Sequence, residues 1–163
     1  MPTLIDGNNL LFAARDVEDP ERPMGRSKLC EMLGRWARRR GEKVHVVFDG
    51  PTPTPGLARQ IGDPDIAVDY SGGGVSADAR LIEILERDSA ARRLLVVSSD
   101  REIARAAKRR RARAIRSDTF WSALKRDLSR PVVRPLEPPE KGRGLEPDAT
   151  ERWLREFGLD EPR

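Results

Sequence analysis

Leu4-Ile5-Asp6-Gly7-Asn8-Asn9 is a short apolar run that stops on a carboxylate, then a glycine, then two amides. Three later stretches follow the same grammar. Val44-His45-Val46-Val47-Phe48 stops on Asp49, and Leu94-Leu95-Val96-Val97 runs through Ser98 and Ser99 to Asp100. Ser76-Ala77-Asp78 opens a helical segment just after the glycines Gly72-Gly73-Gly74. Short apolar runs alternating with helical patterns predict an α/β fold with a mainly parallel sheet and helices on both faces. The runs at 2–5, 43–48, 66–70, 93–97 and 112–115 predict five strands. In such a sheet, ligands bind beyond the carboxyl ends of the strands. The aspartates at those ends can therefore meet along one edge.

Working outward, Asn9 to Arg15 predicts a first helix. The stretch from Asp16 to Met24 reads as a loop because of its charges and prolines. Ser27 is the expected N-cap of a helix running to Arg40, with Leu29, Leu33, Trp36 and Ala37 as its apolar stripe and Gly41 as its stop. Gly50 to Gly56, with three prolines, predicts a stiff loop beside Asp49. Helices are expected over 76–88, 101–110 and 118–128. From Pro131 the texture changes to a proline- and glycine-rich arm. It ends in a short amphipathic helix, with Asp148-Ala149-Thr150-Glu151 as a capping box and Trp153 and Phe157 on one face. The expected organisation is a main domain over 1–130 and this arm over 131–163.

Composition narrows the function. The chain has 163 residues, 37% apolar and 36% charged, with a net charge of +4. That length suits one domain with a real core. The single cysteine, Cys30, excludes an intrachain disulfide and a cysteine-based zinc site, which fits a reducing cytosol. The single histidine, His45, lies inside a predicted strand and removes Ser-His-Asp and Cys-His mechanisms. There is no phosphate-binding GxxxxGK[ST] loop and no GxGxxG after the first strand. No leader and no run of membrane-spanning length stands out, so the chain reads as soluble and cytoplasmic.

Each aspartate alone has an ordinary structural role available, as a turn residue, a helix cap or a first-turn acid. As a set, carboxylates gathered without a basic residue call for a hard cation, Mg²⁺ or Mn²⁺. Such a site suits metal-assisted phosphodiester hydrolysis. Asn8, Asn9, Ser76, Ser98 and Ser99 are neutral groups able to orient water or phosphate. Arg101, Arg105, Lys108, Arg109, Arg110, Arg111, Arg113 and Arg116, against one acid, Glu102, form the densest basic run, and Arg35, Arg38, Arg39, Arg40 and Lys43 form a second. Both are candidate grips for a nucleic-acid backbone, or else solvated faces. No aromatic cluster stands out nearby in the sequence to stack bases.

Taken together, Leu4-Ile5-Asp6-Gly7-Asn8-Asn9, Val46-Val47-Phe48-Asp49-Gly50, Val68-Asp69-Tyr70-Ser71, Ser76-Ala77-Asp78, Val97-Ser98-Ser99-Asp100 and Ser117 resemble the YacP-like branch of NYN-domain proteins, within the wider PIN-like nuclease group. The resemblance covers about residues 1–128. It implies a PIN-like three-layer α/β/α fold and a divalent-metal endoribonuclease. One relative is a ribosome-associated enzyme that cuts messenger RNA. Carried over by position, Asp6, Asp78 and Asp100 are the metal-binding acids, Asp49 a fourth or supporting acid, and Asn9 the family's asparagine. Asn8 stands where an aromatic residue is frequent, and Arg111 where a glycine often ends a helix. The expected partners are RNA and the ribosome, without a membrane, for a monomer or weak homodimer. The rival reading is a non-catalytic RNA- or ribosome-binding module on the same fold. A phosphatase or a DNA nuclease using similar acids stands third. A haloacid-dehalogenase phosphatase needs an aspartate two residues after the first, where Asn8 stands.

Overall fold

In the computed structural model, which describes residues 1–17 and 24–131, five short strands form one wholly parallel sheet. The strands are β1 (Thr3–Asp6), β2 (Val44–Phe48), β3 (Ile66–Tyr70), β4 (Leu95–Val97) and β5 (Arg113–Ile115), in the order β3-β2-β1-β4-β5. Ile5 stands opposite Val46 on one side and Val97 on the other. The central strand β1 is buried along its whole length, whereas the edge strands β3 and β5 are partly exposed. A sheet covered on both faces needs apolar side chains pointing both ways, which is why β1, β2 and β4 read as continuous apolar runs.

The two faces bury separate sets. Ile5, Val46, Phe48 and Val97 pack against α1 (Gly7–Arg15), α2 (Arg26–Arg40) and α6 (Ser117–Ser129). Here Trp36 meets Phe120 edge-on, with ring centroids 5.3 Å apart. Leu4, Val47 and Val96 pack against α4 (Ala77–Arg87) and α5 (Arg101–Arg109). This is the expected three-layer α/β/α arrangement. The stripe Leu29, Leu33, Trp36 and Ala37 on α2 is buried, and Gly41 ends that helix at φ 61°.

Three local expectations are corrected. Ser27 is not the cap of α2. The helix starts at Arg26 after Gly25, and the Ser27 hydroxyl donates to the Gln60 carbonyl at 2.7 Å. The loop from Gly50 does not run through Gly56, because a short helix, α3 (Pro55–Ile61), starts at Pro55. Proline is tolerated there because the first helical N–H has no partner to lose. β4 is shorter than expected, because Ala91–Arg93 forms a 3₁₀ turn and Leu94 follows it as extended chain. Residues 1–130 form one compact unit. The proline-rich arm and short helix expected beyond it lie outside the described residues, apart from Pro131. No helix among the described residues is long and apolar enough to cross a membrane.

Candidate active site at the carboxyl edge of the sheet

In the order β3-β2-β1-β4-β5, the chain leaves β1 toward one face and β4 toward the other. The crevice between those two strands is the topological switch point, where open α/β sheets place their ligands. Asp6 closes β1, Ser98, Ser99 and Asp100 follow β4, and Asp49 follows β2. The carboxyl edge therefore collects these residues because of strand order, not sequence proximity.

Asp6 is buried, only 3% exposed. Its Oδ1 accepts the Asn9 backbone N–H at 2.9 Å and caps α1, while its Oδ2 accepts the Ser98 hydroxyl at 3.0 Å. The Ser98 oxygen in turn accepts the Asp100 N–H at 3.0 Å. Asp100 caps α5 through the N–H groups of Glu102 and Ile103. Asn9 Oδ1 accepts the Ser99 N–H at 3.1 Å, and Ser99 Oγ accepts the Ser117 N–H at 3.2 Å. One network thus joins the ends of β1, β4 and β5. Ser117 Oγ is buried without a hydrogen-bond partner beside it.

Asp49 belongs to a second network. Its Oδ2 accepts Asn8 Nδ2 at 3.0 Å, and its Oδ1 accepts the Ala77 N–H at 2.6 Å. That contact fixes the start of α4, where Asp78 stands in the first turn. Ser76 is the N-cap of α4, its oxygen accepting the Ala79 N–H at 3.2 Å. Gly50 and Gly72, at φ 107° and 86°, let the loops after β2 and β3 bridge beside Asp49. The Asp78 carboxylate makes no hydrogen bond or ion pair with the described residues.

The electrostatics single out two of these acids. Burial raises the Asp6 carboxyl above its ordinary value, outweighing the bonds from Asn9 and Ser98, and Asp78 and Asp49 push it the same way. Burial also raises Asp78, and the charges of Asp100, Asp49 and Glu102 add to it. Among the described residues no lysine or arginine forms an ion pair with Asp6, Asp49, Asp78 or Asp100. The acids thus act on one another as uncompensated like charges.

The donors are carboxylate, amide and hydroxyl oxygens, without thiolate or imidazole. That chemistry fits a hard divalent cation. The side chains nevertheless stand apart. Among the described residues no three acid, histidine or cysteine side chains come close enough to hold a metal ion between them. Asp6, Asp49 and Asp100 each turn toward nearby N–H, amide or hydroxyl donors. His45 and Cys30 take no part. His45 is partly buried within β2, 4.0 Å from Asp69, and burial lowers its pKa. Burial pushes the Cys30 thiol up to about 12.

The sequence reading missed several neighbours. Glu102 adds negative charge at Asp78, and its position two residues after Asp100 was the available signal. A groove of about 420 Å³ is lined by Asn8, Leu11, Phe12, Arg15 and Arg26. Phe12 is 66% exposed there, an aromatic face whose outward direction no periodicity in so short a helix reveals. Arg26 lies over the Phe48 ring at 5.0 Å and donates to the Asp49 carbonyl at 3.0 Å, so the groove adjoins the acids. Arg101, Arg105, Lys108 and Arg109 are all exposed along α5.

A family model described as the YacP-like NYN domain matches residues 3–137. The chain belongs to that family. Membership supports a nuclease role acting on RNA, within the PIN-like nucleases. The crystal structure of Rae1 (YacP) from Bacillus subtilis is similar at a TM-score of 0.62 and 19% identity, covering 97% of this chain and 92% of that one. Its W164L mutant gives 0.61 and 16%, covering 100% and 86%. At these identities the likeness is one of fold. No curated protein matches the chain.

Ser98 carries a testable structural load at this edge. Ser98→Ala leaves Asp6 Oδ2 buried without its donor and frees the Asp100 N–H. An unsatisfied buried acceptor costs about 1–3 kcal/mol. Urea unfolding of the variant in EDTA is expected to read a loss of that size.

Proposed function

We propose that residues 1–130 form a divalent-metal-dependent endoribonuclease whose site is the carboxyl edge of the sheet. The observation that carries this reading is the gathering of Asp6, Asp49 and Asp100 at the ends of β1, β2 and β4, with Asp78 beside them in the first turn of α4, at the switch point of a nuclease-family fold. Asp6, Asp78 and Asp100 would hold Mg²⁺ or Mn²⁺, with Asp49 supporting through Asn8 and the start of α4. The ion, when bound, supplies positive charge that polarises the phosphate and favours ionised water. Asn9 and Ser98 hold the acids and the loop after β4 in register. Asn8, Ser76 and Ser99 border the edge as phosphate or water contacts, and Arg101, Arg105, Lys108 and Arg109 carry the backbone away from it. The exposed Phe12 ring in the adjoining groove offers a base a stacking face. The working setting is cytoplasmic, on ribosome-associated messenger RNA, by a monomer or weak homodimer.

A second reading is a non-catalytic RNA- or ribosome-binding module. It is favoured by one observation, the separation of the acids. A circular single-stranded RNA distinguishes the two. The nuclease linearises the circle with Mn²⁺ or Mg²⁺ and leaves it intact in EDTA. Tight binding with the circle uncut at every metal concentration supports the binding module.

Metal binding should also be visible without RNA. A ligand at 100 times its dissociation constant stabilises by about 2.7 kcal/mol. Mn²⁺ is expected to raise the unfolding midpoint by several degrees. Protons compete for the raised carboxyls, so this gain should shrink as pH falls toward 3.8, the ordinary aspartate value. Differential scanning fluorimetry across pH measures it.

A further inference from the structure

We infer that the opposite edge of the sheet carries an arginine clamp for an RNA phosphate, formed by Arg92, Arg109, Arg110 and Arg111. These four line one cavity of about 230 Å³, with Ser89 and Ala91. Topology places it far from the acids. α5 starts at the carboxyl edge and runs back, so Arg109 to Arg111 stand before β5, and Arg92 stands before β4. Nine residues at 1.5 Å each put the clamp roughly 14 Å from Asp100 along the helix.

The charge there is largely uncompensated. Arg109 lies 4.0 Å from Glu86, the one carboxylate within ion-pair range of the four among the described residues. Arg110 Nη2 donates to the Asp88 carbonyl at 2.7 Å, which fixes its position and leaves its charge.

Backbone strain supplies an independent sign. The Arg111 N–H bonds to the Lys108 carbonyl at 3.0 Å and the Ala112 N–H to the Ala107 carbonyl at 2.9 Å. This is the helix ending that favours glycine in the left-handed region, as Gly41 does at the end of α2. Arg111 adopts φ 58°, where a Cβ is unfavourable. Strain of this kind persists where surrounding structure enforces it, and it clusters at binding sites. Here it sets a guanidinium in the clamp.

Arg101, Arg105, Lys108 and Arg109, spaced as one helical face, join the clamp to the acidic edge. An RNA strand held at the acids therefore continues along α5 to the clamp. This rests on RNA as the substrate, not on cleavage.

Binding of 4-nucleotide and 15-nucleotide single-stranded RNAs, followed by fluorescence anisotropy in EDTA at several salt concentrations, tests it. Arg111→Gly should raise the unfolding midpoint yet weaken the 15-mer roughly threefold to tenfold, with a salt slope lower by about 0.7. Arg92→Ala should weaken it similarly without the gain in stability. The 4-mer should bind all three proteins alike. Wild-type affinity and slope for the 15-mer in both variants would overturn the clamp, and so would equal weakening of both RNAs. Loss of cleavage with these binding differences intact would instead count against the nuclease reading alone.

Discussion

Asp78→Asn is expected to lose RNA cleavage by more than about 100-fold while folding more stably than the wild type in EDTA. Removing a group that merely supports a metal ligand typically costs 10- to 100-fold, so loss of a ligand should exceed that. The stability gain follows from the position of Asp78. Its carboxylate makes no hydrogen bond to the described residues, and burial and three neighbouring acids oppose its charge. Its folded pKa is raised, so the folded state binds more protons than the unfolded state just above 3.8, and stability falls as pH rises through that window. The neutral amide avoids this. The gap between variant and wild type should be widest at neutral pH and close as the acid protonates. Thermal unfolding of both proteins in EDTA across pH reads the gap. Mn²⁺ should reverse the order by stabilising the wild type alone.

Gly7→Ala is expected to lower stability by about 1–3 kcal/mol and to impair the site with it. A Cβ at Gly7 would lie 2.5 Å from Phe48 Cδ1 and Cε1 and 2.9 Å from Val46 Cγ1. Phe48 cannot easily yield. It is fully buried, with Tyr70 6.0 Å away centroid to centroid and Arg26 over its face. Alanine exceeds glycine in a helix interior by up to about 1 kcal/mol, but Gly7 is the first helical residue, where little of that gain applies. Overpacking therefore wins. The start of α1 must shift, and Asp6, Asn8 and Asn9 shift with it. Chemical denaturation gives the stability loss, and the wild-type cleavage assay gives the rest.

The contrast between these two positions bears on what a sequence makes legible. The buried parallel strands announced themselves as apolar runs. The runs ended on polar residues where the chain turns off the sheet, and that alone placed Asp6, Asp49 and Asp100 at its carboxyl edge. Asp78 was placed in the first turn of a helix, where the structure has it. What stayed hidden has physical causes. α3 buries none of its residues, so no apolar periodicity marks it. Ser27 has the chemistry of a cap, but Gly25 and Arg26 already start the helix, and the hydroxyl found a carbonyl in α3's last turn instead. The Ser98 bridge from Asp6 to Asp100 joins residues 92 positions apart at one end and two at the other, a relation only the strand order creates. Phe12 on α1 and Arg26 on α2 line one groove, a pairing that no spacing rule encodes. The left-handed Arg111 runs against the preference for glycine, so local propensity points away from it.

The most direct test of the account is cleavage of a labelled single-stranded RNA by the wild type and by Asp78→Asn, each with Mn²⁺, with Mg²⁺ and with EDTA. The account predicts internal cuts by the wild type with metal, none in EDTA, and almost none by the variant under any condition. Cutting by Asp78→Asn at the wild-type rate, or wild-type cutting undiminished in EDTA, would contradict it.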